Sequence, residues 1–289
     1  MSANSTVARF RDLVELGKPR ITLLVLFTSA VGLWLAEGGL GFARTITFLA
    51  ATGLLVFSAN TLNCWVERET DGRMLRTRDR PLPAGRLRPG AALHAGLAEA
   101  AAAVGALAWS TNRLTVALGL VALLTYVLVY TPLKRLRWWA VIVGAVPGAL
   151  PPLMGWTAVT AELSAPGWVL FGILFLWQLP HTIAISLYLK DDYRRGGLQV
   201  LPVARGDAVA RRHLFAYTVL LVLVSFAAPP LGMAGPAYLV TAAMLGAGFL
   251  FIAGGGLPSA VEGQWARRAF AYSLFYLPVL IAVLVLDAR

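Results

Sequence analysis

The chain has 289 residues, of which 58% are hydrophobic and 13% charged, with a mean hydropathy of +0.71 and a formal net charge of +11. An ordinary soluble domain carries about 25% charged residues, so a water-soluble globule is excluded. The positive balance does not call for a nucleic-acid partner, because a membrane chain that retains Lys and Arg on its cytoplasmic side acquires the same excess.

The first 20 residues are polar and include Asp12 and Glu15. The apolar run after them is too long for a signal-peptide core, so they are read as a polar cytoplasmic N-terminus rather than a cleaved leader. Runs with few charges follow near 21–40, 46–66, 91–110, 114–130, 138–158, 167–187, 214–233, 236–254 and 269–286. Each is long enough to cross about 30 Å of hydrocarbon, and none alternates with the period of a barrel strand. The expected fold is an all-α integral membrane protein of about nine transmembrane helices, with residues 1–289 forming a single membrane domain. Nine spans place 22 of the 25 Lys and Arg on the side of the N-terminus and only Arg44, Arg113 and Arg289 on the other. That asymmetry puts the N-terminus in the cytoplasm, and a bacterial inner membrane is the expected location. Cys64 is the single cysteine, which rules out an intrachain disulfide and a thiolate metal cluster.

At the end of the second span the chain reads Asn63-Cys-Trp-Val-Glu67-Arg-Glu-Thr-Asp71-Gly, followed by Arg73, Arg76, Arg78 and Arg80. Oxygens spaced by four share one face of a helix, provided that the helix continues past the membrane surface. Such a set suits Mg²⁺, which is usually held by one or two carboxylates plus substrate phosphates. The arginines offer planar forks to phosphate oxygens, so the segment reads as a site for a metal-bound diphosphate. Taken one at a time, Arg73, Arg86 and Arg88 are ordinary positive-inside residues.

The remaining candidates come later in the chain. Lys134 and Arg135 close the fourth span and either hold a far phosphate or anchor the helix by snorkelling. Prolines 147, 151 and 152 in the fifth span loosen one helix beside a cavity or are simply tolerated there. The sixth span carries His181, and Tyr188, Lys190, Asp191, Asp192 and Arg195 follow at its end. An ionisable group inside a span, such as His181, is a functional candidate, with a packed neutral imidazole as the alternative. Tyr188, Asp192 and Arg195 share a face of a continued helix, whereas Asp191 lies about 100° away, which ranks Asp192 above Asp191 as an ion ligand. Trp65, Trp156, Trp177 and Tyr188 are either cavity walls or members of aromatic belts. His94 and Glu99 in the third span are ionisable as well but receive no role.

The pattern Asn63-x-x-x-Glu67-x-x-x-Asp71, with Arg76-Thr77-x-x-Arg80-Pro81-Leu82-Pro83, resembles the first motif of the UbiA superfamily of membrane prenyltransferases. Glu67 stands where that motif usually has Asp. Several further segments resemble the heme-farnesylating branch of the superfamily: Lys18-Pro19-Arg20-Ile21-Thr22, Tyr130-Thr131-x-x-Lys134-Arg135, Gly148-Ala149-x-Pro151-Pro152-x-x-Gly155-Trp156, Gln178-x-Pro180-His181 and Asp191-Asp192-Tyr193 with Leu201-Pro202-Val203. Two positions depart from that branch, Ala140 in place of Asn, and Thr182 or Ile183 in place of an aromatic. The resemblance implies a helical bundle around a central cavity open to the cytoplasmic side. It further implies transfer of a farnesyl group from farnesyl diphosphate to a vinyl group of heme B, and delivery of the product to a heme-modifying or oxidase-assembly protein. Under it, Asn63, Glu67, Asp71, Asp191 and Asp192 bind Mg²⁺, while Arg76, Arg80, Lys134, Arg135, His181, Tyr188, Lys190 and Arg195 bind the substrates. The rival readings are a prenyltransferase acting on a quinone precursor or chlorin, and a transporter of an anionic lipid or metabolite. A transporter would place its ionisable groups nearer the bilayer midplane.

Overall fold

The computed structural model describes residues 3–257 and 263–288, and the side chains of 10–257 and 264–288. Thirteen α-helices follow in chain order: α1 (Ala3–Leu16), α2 (Pro19–Leu35), α3 (Phe42–Arg73), α4 (Pro89–Ser110), α5 (Arg113–Leu124), the single turn α6 (Thr131–Leu133), α7 (Ala140–Thr160), α8 (Ala165–Tyr188), α9 (Lys190–Arg195), α10 (Leu201–Arg205), α11 (Asp207–Ser225), α12 (Pro236–Gly254) and α13 (Gly263–Leu286). No strand occurs among the described residues. Lipid leaves backbone groups no partner outside the helix, which is why the apolar runs close their own hydrogen bonds. In α2, α4, α8 and α12 a proline sits in the first turn, where its missing N–H is not needed.

Among the described residues eight helices are long and apolar enough to cross a membrane. A ninth span exists if Phe10–Leu16 and Pro19–Leu35, bent by 53° at Gly17 and Lys18, count as one. The expected polar tail is therefore mostly helix: α1 lies against α3, with Leu16 buried and its carbonyl oxygen accepting from Cys64 Sγ. Arg86 ties α1 down from outside by pairing with both Asp12 and Glu15.

Helix α3 runs 32 residues and extends past the expected boundary at 66 to Arg73. It packs chiefly on α4, while α7 packs on α2 and α8, and α8 on α11 and α13. The α2–α7 crossing depends on two glycines. A Cβ on Gly32 would lie 1.9 Å from the Pro152 carbonyl oxygen, and one on Gly155 would lie 2.1 Å from that of Ser29. Close backbone approach through small residues is how membrane helices gain contact without a hydrophobic driving force. Helix α7 stays continuous through Pro147, Pro151 and Pro152, and Ser29 Oγ of α2 donates to the Pro151 carbonyl.

Two local irregularities shape the interior. Residues Thr125–Tyr130 form a π-helical turn between α5 and α6, a device that often marks functional sites. It brings Tyr126 and Tyr130 into a stacked pair with ring centroids 5.6 Å apart. The second irregularity corrects a sequence expectation: Tyr188, Asp192 and Arg195 do not share one helix face, because the chain breaks at Leu189 (φ −103°, ψ 21°) before α9 begins.

Candidate functional site

The site forms at the end of the bundle where α3 outruns its neighbours. There Asn63, Glu67 and Asp71, on one stripe of α3 and all buried, line a polar cavity of about 290 Å³. Each of the three has a cation as partner, and the three cations come from three different places in the chain. Lys18 Nζ, at the α1–α2 break, donates to Asn63 Oδ1 at 3.1 Å. Lys134, after α6, pairs with Glu67. Arg80 Nη1, in the loop after α3, lies 2.7 Å from Asp71 Oδ2. Around the cavity Lys18, Arg76, Arg80, Lys134 and Arg137 face only two carboxylates, an excess of three positive charges.

The sequence marks Lys18 only as the start of the Lys18–Thr22 segment, and it is the main site residue that emerges from the structure alone. It takes left-handed backbone angles (φ 50°, ψ 68°), uncommon for any residue other than glycine and doubly so before a proline. Such strain costs on the order of 1–3 kcal/mol and persists where surrounding structure demands it. Here it aims the ammonium group into the cavity.

The amide of Asn63 is oriented by a chain of hydrogen bonds. Its Nδ2 donates to Thr131 Oγ1, which in turn donates to the Tyr126 carbonyl inside the π-helical turn. With the amide nitrogen so engaged, Oδ1 is left to face Lys18 and the cavity.

The loops above the cavity are knitted together. Asp192 Oδ1 accepts from the Leu75 backbone N–H at 2.7 Å, and Oδ2 from that of Arg76 at 3.4 Å. Thr77 Oγ1 donates to the Asp71 carbonyl, and the Gln199 N–H donates to that of Lys134. Gly196 packs on Met74 so closely that a Cβ would meet Met74 Cγ at 2.8 Å.

Electrostatics agree with this geometry. Burial opposes the charge on Lys134, but Glu67 outweighs it and holds the ammonium pKa above its ordinary value. Burial likewise opposes the charge on Arg80, and Asp71 overrides it. Burial raises the Tyr193 phenol, with Arg76 pulling the other way. At neutral pH the cavity therefore holds a neutral phenol beside charged Arg80 and Lys134. Lys18 is the exception: burial lowers its ammonium pKa below the ordinary value, with Arg80 and Lys134 adding to the effect and Glu67 opposing it.

The structure does not bring all the sequence-derived candidates together. Among the described residues no three Asp, Glu, His or Cys side chains are grouped closely enough to hold a metal unaided. Asp192 is spent on the Leu75–Arg76 backbone, and Asp191 is exposed and paired with Arg194. Lys190 pairs with Asp207, and Arg195 lies 3.9 Å from Asp192. Arg135 donates to the Val66 carbonyl, which stitches the loop after α6 onto α3. Tyr188 packs against Phe270 with Arg267 over its ring. His94 is exposed on α4, and neither it nor Glu99 lines either cavity described here.

A second cavity, about 380 Å³ and mainly apolar, lies deeper in the bundle. Its walls include Leu24, Leu55, Pro147, Gly148, Trp177 and His181, so the proline-bearing helix does border a cavity. Ile21, Tyr126, Tyr130, Val141 and Thr182 line both spaces. Polar chamber and apolar chamber thus share a wall at the stacked tyrosines. The arrangement matches a substrate with a multiply charged head and a hydrocarbon body.

Comparison with known proteins supports this description. The model of the UbiA prenyltransferase family matches residues 25–284. The protoheme IX farnesyltransferase of Anaeromyxobacter dehalogenans (strain 2CP-C) is 50% identical over 286 residues, covering 99% of this chain and 97% of its own. That of Myxococcus xanthus (strain DK1622) is 49% identical, covering 96% and 94%. Among solved structures, a digeranylgeranylglyceryl phosphate synthase superimposes with a TM-score of 0.81 at 15% identity, covering 96% of this chain and 98% of that one. A UbiA homologue from Archaeoglobus fulgidus bound to DMAPP and Mg²⁺ gives 0.71 at 18%, covering 94% and 99%. At those identities the structural matches speak for the fold, and the sequence matches speak for the family. This multi-pass membrane protein belongs to the UbiA prenyltransferase family.

Proposed function

We propose that this protein transfers the farnesyl group of farnesyl diphosphate to a vinyl group of heme B, with addition of water, giving heme O and diphosphate. The observation that carries the proposal is the one-to-one pairing of Asn63, Glu67 and Asp71 with Lys18, Lys134 and Arg80 around one polar cavity that shares a wall with an apolar chamber. The named activity of relatives at 50% identity supports heme as the acceptor.

The donor set suits Mg²⁺: two carboxylates and one oriented amide oxygen leave coordination positions for water and phosphate, as this ion prefers. Asn63, Glu67 and Asp71 would hold it, and when bound it neutralises charge growing on the leaving diphosphate. In this reading Asp192 holds the Arg76 loop in place rather than serving as a ligand. Lys18, Arg76, Arg80 and Lys134 are already placed where that charge grows, so they stabilise it with little reorganisation. As the allylic C–O bond breaks, its electron pair leaves with diphosphate, and the vinyl group attacks the farnesyl C1 to form the new C–C bond. Water then adds to the resulting cation and releases a proton. Tyr126, Tyr130 and Trp177 offer aromatic faces to the allylic cation, and the apolar chamber keeps water away until the C–C bond exists. Arg137, which lines the polar cavity, would receive a heme propionate, whereas Arg135 is engaged with the Val66 carbonyl.

The 22-to-3 division of basic residues supports an N-terminus and polar cavity facing the cytoplasm, and the bacterial relatives support an inner-membrane location. Delivery of heme O to a heme-modifying or oxidase-assembly protein belongs to the same reading.

One observation favours a second acceptor class. Ala140 and Thr182, the two departures from the heme-farnesylating pattern, both line the polar cavity. The test is incubation of the purified protein with farnesyl diphosphate, Mg²⁺ and either heme B or a quinone precursor, read by mass spectrometry. Farnesylated heme is the expected product. Prenylation of the quinone precursor with heme inert would replace the reading by the second one.

A further inference from the structure

His181 sits on α8 beside the apolar chamber, and its surroundings determine which ring nitrogen carries the hydrogen. Ser273 Oγ of α13 donates its single hydrogen to the Phe270 carbonyl at 2.6 Å. The 2.8 Å contact between Ser273 Oγ and His181 Nδ1 must then be donated by the imidazole. In the neutral ring that burial beside an apolar chamber favours, the hydrogen is therefore on Nδ1 and the lone pair on Nε2.

The ring cannot turn away. Trp177 stacks on one side at 4.6 Å and 24°, and Phe270 covers the ring at 4.9 Å. Trp177 is itself anchored by its indole N–H on the Ser273 carbonyl. With Nδ1 spent and the faces covered, the Nε2 edge is what His181 contributes to the chamber wall. Among the described residues no protein donor reaches Nε2, and the chamber's amide side chains are committed elsewhere, Gln178 to Ala145 and Leu174, Asn60 to Gly17. A strong acceptor left without a partner inside an apolar space is costly unless a ligand takes it.

We propose that His181 Nε2 is an axial ligand to the iron of the heme acceptor, with Ser273 as the residue that positions the ring. The inference rests on the heme reading above. A neutral imidazole whose other N–H is donated to a fixed oxygen is the usual state of a metal-bound histidine. Imidazole nitrogen suits heme iron. The chain has three histidines, and the other two do not qualify: His94 is exposed on α4, and His213 bonds the Val209 carbonyl and lines neither cavity. Ligation at one fixed atom would set the height of the porphyrin against the wall shared with the polar cavity, and so the position of its vinyl edge relative to the farnesyl C1.

The test is resonance Raman spectroscopy of the full chain in lipid nanodiscs, loaded with ferrous heme B and no farnesyl diphosphate. The wild type is expected to show an iron–histidine stretching band. His181→Gln, which preserves bulk and a donor for Ser273, is expected to lose the band and to regain it on addition of imidazole. Ser273→Ala is expected to keep the band at lower frequency, because the ring loses the partner that makes Nε2 basic, and His213→Ala to leave it unchanged. Retained Mg²⁺-dependent binding of farnesyl diphosphate by His181→Gln would show that this variant is folded. Farnesylation of heme by a wild type that lacks the band, or survival of the band in His181→Gln, would overturn the ligation and leave the heme reading standing. Failure of the wild type to bind heme at all would overturn both.

Discussion

Lys18 Nζ and Asn63 Oδ1 lie 3.1 Å apart although 45 residues separate them in the chain. The contact joins the break between α1 and α2 to the first residue of the oxygen-bearing stripe on α3. Hydrogen bonds involving a charged group are worth roughly 1.5–3 kcal/mol. If Lys18 moves from Asn63 to a phosphate oxygen when substrate arrives, Lys18→Met should raise the KM for farnesyl diphosphate about 10- to 100-fold. Steady-state kinetics with heme held saturating checks this, and an unchanged KM would remove Lys18 from the diphosphate site.

Asp71 is buried and its carboxylate is paired with Arg80. Removing one partner of a buried pair costs about 3–5 kcal/mol, since the other charge is left alone. Asp71→Asn keeps the shape and should cut turnover by at least about 100-fold, the scale expected for loss of a preorganised electrostatic contact. Thermal unfolding in detergent would confirm that the variant folds. Full turnover in a folded Asp71→Asn would take the α3 stripe out of the mechanism.

Chelation offers a separate check on the same stripe. EDTA should abolish transfer, and added Mg²⁺ should restore it, while the circular dichroism spectrum stays constant, because the protein's own cations already balance the oxygens. Transfer that continues in EDTA would show that no divalent ion takes part.

Asp192 holds the backbone N–H groups of Leu75 and Arg76, which places it in the scaffold of the Arg76 loop. Asp192→Asn retains a carbonyl acceptor for Leu75 and should leave the Mg²⁺ concentration for half-maximal rate unchanged. Asp192→Ala frees both N–H groups, with a loss of about 1–3 kcal/mol in loop anchoring, and should make residues 74–80 more sensitive to limited proteolysis. A large rise in the Mg²⁺ requirement of Asp192→Asn would instead identify Asp192 as an ion ligand.

The α2–α7 crossing makes a prediction about stability alone. Gly32→Ala and Gly155→Ala each push a methyl group into a backbone carbonyl of the facing helix. Overpacking of this kind costs about 1–3 kcal/mol. Either substitution should lower the detergent unfolding temperature, whereas Gly105→Ala, with nothing within 4 Å, should not.

Much of this protein is written locally. Hydropathy identifies the spans because lipid leaves an apolar segment of that length one backbone solution. The i, i+4 spacing placed Asn63, Glu67 and Asp71 on one stripe because α3 does continue to Arg73 as a regular helix. Where a helix breaks, that inference fails. Leu189 turns the chain, so Tyr188 and Asp192 part company, and Asp192 goes to the Leu75–Arg76 backbone instead of joining the stripe.

Sequence by itself thus determined the fold class, the family and the acidic stripe, since each depends on residues near one another in the chain or on their spacing along one helix. Only the tertiary structure decided which cation answers each oxygen, that Lys18 belongs to the site, and which nitrogen of His181 is left free. Apart from Arg80 and Asp71, 9 positions apart, those relations join residues 45, 67 and 92 positions apart, and the loops and helix crossings that bring them within hydrogen-bonding distance leave no periodic trace in the chain.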